Sequence, residues 1–156
     1  MMLFSRVRGL PVLTTGEGIR LGVVRALTVD AASGTVTHVR VRRGRLRGDA
    51  VLAWDALDAV APDLLLAAPS SVLAVAPPHH DLLGRRVLTE DGEERGTVLD
   101  AAFDPLTARI EAVLTTIGEL PAERLLGLGG HALVVRGRRT ARGRGRSGRP
   151  SPLTRP

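Results

Sequence analysis

The chain has 156 residues, enough for one average domain or two small ones, and no Cys, which excludes a disulfide framework, a thiolate nucleophile and a Cys-based metal site. The net charge of +6 is unevenly spread: residues 136–156 hold 8 of the 22 Arg and no acid, leaving 14 Arg against 16 Asp and Glu over residues 1–135. A body near neutrality therefore carries a cationic tail, and any argument from the high isoelectric point concerns the tail.

Lys, Asn, Gln and Tyr are also absent, the bias expected of a GC-rich bacterial genome. No run of about 20 apolar residues occurs, so no transmembrane helix is expected. The most apolar region, Ala59 to Pro78, is interrupted by Pro62, Asp63, Pro69 and Pro77. The opening residues Met1 to Arg8 have no apolar core followed by a small-residue cleavage site, so they do not read as a signal peptide. The expectation is a cytoplasmic protein.

Gly9 to Thr14 reads as a first short strand, with Pro11 tolerated near its start or on an edge. Gly16 and Gly18 supply a turn. Leu21 to Val29 alternates loosely, placing Leu21, Val23, Ala26 or Leu27, and Val29 towards a core. In Asp30-Ala-Ala-Ser-Gly34 the carboxylate can accept backbone N–H bonds, and Gly34 can take a positive φ. Thr35 to Val41 is rich in β-branched residues, with Thr37, Val39 and Val41 expected on one face and His38, Arg40 and Arg42 on the other. Gly44 marks a turn within Arg40 to Gly48, and Val51-Leu52 begins the return. Ala53 to Asp58 suits one helical turn, Asp63 to Ala67 a closing strand, and Pro69 to His80 a Pro- and Ser-rich link.

The plan then repeats. Gly84 to Leu88 matches Gly9 to Leu13, and Gly22 to Val41 aligns without a gap on Gly96 to Thr115. Gly22 meets Gly96, Val24 meets Val98, Asp30 meets Asp104, Ser33 meets Thr107, Val36 meets Ile110 and Val39 meets Val113. The Asp91-Gly92 pair predicts a type I′ hairpin turn, and Pro105 presets φ in the second Asp loop. Leu120 to Leu125 falls where Leu52 to Leu57 fell, and Ala132 to Val135 ends the second unit. The expected division is residues 5–68, a linker 69–80, a second unit 81–136 and a disordered basic tail 137–156.

Candidate chemistry is sparse. His79-His80 reads as a solvated linker pair, His38 as a surface residue, and Gly127 to Gly130 ahead of His131 lacks the strand-loop-helix context of a phosphate loop. Glu90, Asp91, Glu93 and Glu94 lack the ligand spacing of a calcium loop and read as a hairpin tip. Trp54 is expected to plug the end of the first unit. No catalytic residue, metal site or cofactor is assigned. Two basic features remain as partner- or phosphate-binding candidates. One is a hairpin knob of Arg40, Arg42, Arg43, Arg45 and Arg47. Guanidinium groups bind carboxylates and phosphates bidentately, although Arg on an exposed strand also blunts edge pairing. The other is the tail, with Arg138, Arg139, Arg142, Arg144, Arg146 and Arg149. Lacking aromatics, it could neutralise phosphates only without base readout.

A Gly-x-x-Val strand, a Gly heading the second strand, an Asp-x-x-(Ser/Thr)-(Gly/Ala) turn, an alternating third strand, a short Pro- or Trp-containing turn and a final apolar strand together resemble the PRC-barrel family. The likeness covers about residues 5–68 and 81–136. It implies an all-β protein of two tandem small barrels and a non-catalytic adaptor role. The implied partner is a protein, with RNA or a ribonucleoprotein as the alternative and peripheral contact with an anionic membrane also chemically open.

Overall fold

The computed structural model describes residues 1–45 and 47–137, so the tail beyond Gly137 lies outside the described residues. β1 (Met2–Leu3) leads into a single helical turn, α1 (Phe4–Val7). The first sheet then forms from β2 (Pro11–Thr14), β3 (Arg20–Asp30), β4 (Thr35–Arg42), β5 (Asp49–Ala53), β6 (Ala59–Val60) and β7 (Leu65–Ala67). The second forms from β8 (Arg86–Thr89), β9 (Glu94–Phe103), β10 (Ile110–Thr115), β11 (Gly118–Pro121), β12 (Leu125–Leu128) and β13 (Leu133–Val135).

Strand order is β5-β4-β3-β2-β7-β6 in one sheet and β11-β10-β9-β8-β13-β12 in the other, the same path twice. Each path closes on a parallel pair, β2 with β7 and β8 with β13. The duplication reaches single hydrogen bonds. Gly9 N–H donates to Val24 O and Gly84 N–H to Val98 O, both at 2.9 Å. Gly34 N–H donates to Asp30 O at 2.9 Å and Ala108 N–H to Asp104 O at 2.7 Å. Tandem β units are what the repeat implied.

The two long hairpins are bulged, and the bulges also repeat: Arg25 and Leu99 are the extra residues on the first strands, Thr37 and Glu111 on the second. A bulge reverses which residues face the core. This corrects the alternation expected for Leu21 to Val29, because Val24 and Leu27 are buried while Leu21, Val23 and Val29 are half-buried. It corrects β4 as well. Val36 joins Val39 and Val41 inside, and Thr37, the bulge residue, is only half-buried. Gly22 is Gly for a steric reason: a Cβ there would sit 2.5 Å from Arg42 O and Val41 Cγ1.

Three local turns differ in detail from expectation. Ala53 to Asp58 holds a 3-10 turn (Trp54–Ala56), repeated at Ala122–Arg124. At Glu90-Asp91-Gly92 only Gly92 has a positive φ, +83°, and its N–H bonds Thr89 O while Thr89 N–H bonds Glu93 O. That is a three-residue loop closed by a left-handed Gly, not the type I′ turn, which needs two positive φ values. In the first Asp loop the Asp30 carboxylate accepts from the Ser33 hydroxyl at 3.0 Å rather than from the backbone, whereas Asp104 accepts the Leu106 N–H at 2.9 Å.

The halves share one core. Buried Val24, Leu27, Val39, Leu52 and Leu65 belong to the same apolar cluster as Val98, Phe103, Val113 and Leu133. Val36 N–H donates to Ala108 O and Ile110 N–H returns the bond to Gly34 O, both at 2.8 Å, so the two Asp loops join about a pseudo-twofold. β1 crosses to pair with β9, Met2 opposite Phe103 and Leu3 opposite Ala102, and Ser5 bonds Asp100 through its N–H at 3.1 Å and its hydroxyl. The lead-in of the second copy crosses the other way, to β3, through His79. Trp54 does not cap the first unit by itself. Its Nε1–H donates to Pro105 O at 2.9 Å, and its ring meets Phe103 edge-on at 5.3 Å. Phe4 meets the same ring at 5.3 Å, so all three aromatic residues of the chain lie at the seam.

Candidate functional site

The basic end of the first sheet is built on β4, whose buried Val39 and Val41 anchor the strand while Arg40 and Arg42 point away from the core. β4 lies between β3 and β5, so these arginines do not guard an edge and the edge-protection reading falls. The loop that follows is closed by Arg43, whose Nε donates to Gly48 O at 3.3 Å and whose Nη2 donates to Arg47 O at 3.2 Å. Gly44 and Gly48, at φ +130° and +72°, supply the reversals. Arg43 is thus a half-buried clamp, and Arg42, Arg45 and Arg47 are the exposed guanidinium groups. The nearest acid, Asp49, pairs with Arg25 at 2.9 Å.

Arg25 is the member that sequence reasoning missed. It is the bulge residue of β3 and lines a groove of about 360 Å³ with Arg40, Asp49, Pro77, His79 and Asp81. The repeat itself held a signal: Arg25 aligns with Leu99, Arg40 with Leu114 and Arg43 with Ile117, so the matching end of the second unit carries no Arg. Arg138, Arg139, Arg142, Arg144, Arg146 and Arg149 lie outside the described residues.

His79 is not a solvated linker residue. Its Nε2 bonds Asp81 Oδ1 at 2.8 Å and its Nδ1 bonds Thr28 Oγ1 at 2.8 Å. Because a carboxylate only accepts, Nε2 carries a proton, and in the neutral ring Nδ1 accepts from the threonine hydroxyl. The Asp81 carboxyl is held below its ordinary value chiefly by the His79 hydrogen bond, with partial burial opposing and the charges of Arg85 and Arg25 assisting. A hydroxyl, an imidazole and a carboxylate in series have the connectivity of a nucleophilic triad. The burial is the wrong way round for one. Thr28 is 6% exposed and lines none of that groove, while the Asp81 side chain is 65% exposed. A substrate cannot reach the hydroxyl, and the series pins the crossing lead-in to β3.

His38 is half-buried and bonds Thr37 Oγ1 at 2.9 Å, whereas His80 and His131 are exposed. The Gly127–Gly130 stretch is the end of β12 and the start of the loop to β13, with no helix after it, and Gly130 O accepts from Arg85 Nη1–H at 2.6 Å. Glu90 accepts the Gly137 N–H at 2.5 Å, which with Arg136 and Arg124 nearby lowers its pKa below the ordinary carboxylate value. Among the described residues no three His, Asp or Glu side chains gather as a metal site, and no helix is long and apolar enough to cross a membrane.

The family model described as PRC-barrel domain matches residues 1–72 and again 78–139. The chain belongs to the PRC-barrel family. The two matches agree with the two copies of one strand path, so the protein is a tandem PRC-barrel. No curated protein matches the chain. In PRC terms the basic end is peculiar to the first barrel, and the Trp54 contact fastens that barrel to its neighbour's Asp loop.

Proposed function

We propose that the chain is a non-catalytic cytoplasmic adaptor that docks a protein partner on its barrel surface, with residues 5–68 and 81–136 as working units joined by 69–80. The burial of Thr28 carries this reading. The one place among the described residues where a hydroxyl, an imidazole and a carboxylate meet is closed to substrate and holds the two barrels together. PRC-barrel domains often serve protein interaction, which accords with it. The basic end, Arg40, Arg42, Arg45 and Arg47, is the docking surface, and it favours a partner that presents carboxylates. Affinity capture from the native cell, with and without nuclease, tests this. A protein that stays bound after nuclease and is lost with Arg42→Glu and Arg45→Glu is the expected result; capture unchanged by the charge reversal refutes the docking surface.

The Arg43 clamp favours a second reading. Exposed Arg45 and Arg47 beside the Arg43 clamp, with Asp49 already paired to Arg25, would also suit the phosphates of RNA or a ribonucleoprotein. Contact through the loop and the basic tail would weaken steeply with salt, and removing residues 138–156 would flatten that slope. All three aromatics are buried, so such binding would not read bases.

A further inference from the structure

The two barrels match in how their strands pair, and among the described residues only the first has a segment laid along its outer edge. In the first copy the chain leaves β7, makes the 3-10 turn Pro69–Ser71, and donates the Leu73 N–H to Val51 O at 2.8 Å. The linker thereby pairs with the outer edge of β5. Val51 stands opposite Arg40, and the same place opposite Leu114 is taken by Glu119 on β11. β13 repeats β7, with Leu133-Val134-Val135 for Leu65-Leu66-Ala67, so Gly137 corresponds to Pro69 and Ala141 to Leu73. β11 ends its strand path, and among the described residues no backbone N–H from outside the strand pairing donates to the Glu119 carbonyl.

Charge singles out the same edge. Glu119 on β11, Glu123 in the turn after it and Glu111 on β10 are exposed, and none is ion-paired among the described residues. The chain beyond Gly137 has Arg at positions 138, 139 and 142 around Ala141, and no acid anywhere. Its departure point is fixed. Gly137 N–H bonds Glu90, and the Arg124 guanidinium grips Arg136 O at 2.7 and 3.0 Å.

We propose that the outer edge of β11 is the docking site of the chain's own residues 138–142, with the Ala141 N–H donating to Glu119 O as Leu73 donates to Val51. An uncovered sheet edge is a template for an added strand, and the tethered segment meets it at a far higher effective concentration than any partner in solution. The five residues from Gly137 to Ala141 span the same length of chain that carries Pro69 to Leu73 onto β5. Arg138, Arg139 and Arg142 then stand by Glu111, Glu119 and Glu123, and only the arginines farther along the tail remain for an anionic partner. This inference stands or falls independently of the adaptor reading.

The chain has no Cys, so an introduced pair is unique. In the full chain, Glu119→Cys with Ala141→Cys should close to a monomeric disulfide about tenfold faster than Glu119→Cys with Leu153→Cys, which reports only undirected approach of the tail. Equal rates overturn the proposal. So does a disulfide-linked dimer as the main product, because the edge then takes a second copy. A measurement on the unaltered chain guards against distortion by the cysteines: the Ala141 amide should exchange with solvent about tenfold more slowly than that of Arg146, and equal rates again overturn it.

Discussion

Gly34 and Ala108 occupy the same place in the two copies and share a left-handed backbone, at φ +70° and +65°. Each offers its carbonyl to the partner loop across the pseudo-twofold, to Ile110 N–H and Val36 N–H. Only one of the two is the residue that conformation favours. An L side chain held there costs about 1 kcal/mol, which the paired loops over-determine. Ala108→Gly should therefore stabilise the protein by up to about 1 kcal/mol, and Gly34→Ala should destabilise it by a similar amount. Chemical denaturation of both variants checks the opposite signs.

A shared core predicts shared unfolding. Val113 is fully buried in the second half, and the sole Trp sits at the seam on the first. Val113→Ala should cost about 2 kcal/mol and lower the Trp54 fluorescence midpoint and the far-UV circular dichroism midpoint together. Two separated transitions would mean that the barrels are independent. Val39→Asp or Val113→Asp, which bury an unpaired charge, should abolish folding of both halves.

The glycine at the head of the hairpin makes a sharper steric claim. Gly22→Ala places a methyl 2.5 Å from the Arg42 carbonyl and should cost about 1–3 kcal/mol through displacement of β4. Gly127→Ala, with nothing within 4 Å of the added carbon, should shift stability by no more than about 0.5 kcal/mol. Thermal melts of the pair separate a packing requirement from a general preference for Gly.

Asp81 gives a pH dependence of known sign. Folding lowers its pKa from the ordinary 3.8, so the unfolded chain holds the proton more tightly. The contribution is complete above 3.8 and is lost as pH falls through the lower folded value. The side chain is well exposed, so solvent screening keeps the effect small. Asp81→Asn should lower Tm by about 1–2 °C near neutral pH, and the difference should shrink as pH falls below 3.8. A difference that persists in acid would assign the loss to the Asn side chain rather than to the charge.

Much of the fold was legible because strand pairing leaves local marks. Repeated Gly, Asp and β-branched residues were enough to place both hairpins, and Val39 and Val113, which the repeat aligns, are both fully buried. The faces of β3 were not legible, because a bulge at Arg25 is a feature of pairing and not of composition. For the candidate site, the Arg-rich loop announced itself, but its internal division did not. That Arg43 clamps the loop while Arg45 and Arg47 face solvent depends on backbone carbonyls that carry no sequence signature.

From the sequence alone came the tandem β units, the Arg at one end of one of them and the lack of thiol chemistry. These follow from residue type and spacing, which act over a few neighbours along the chain. Tertiary structure alone decided that the copies exchange their lead-ins, that Trp54 bonds Pro105 and that His79 anchors a crossing segment. Those contacts join residues about fifty or more positions apart. They exist because two marginal barrels bury more apolar surface on each other than either could alone, and a local pattern cannot encode which distant surface will be met.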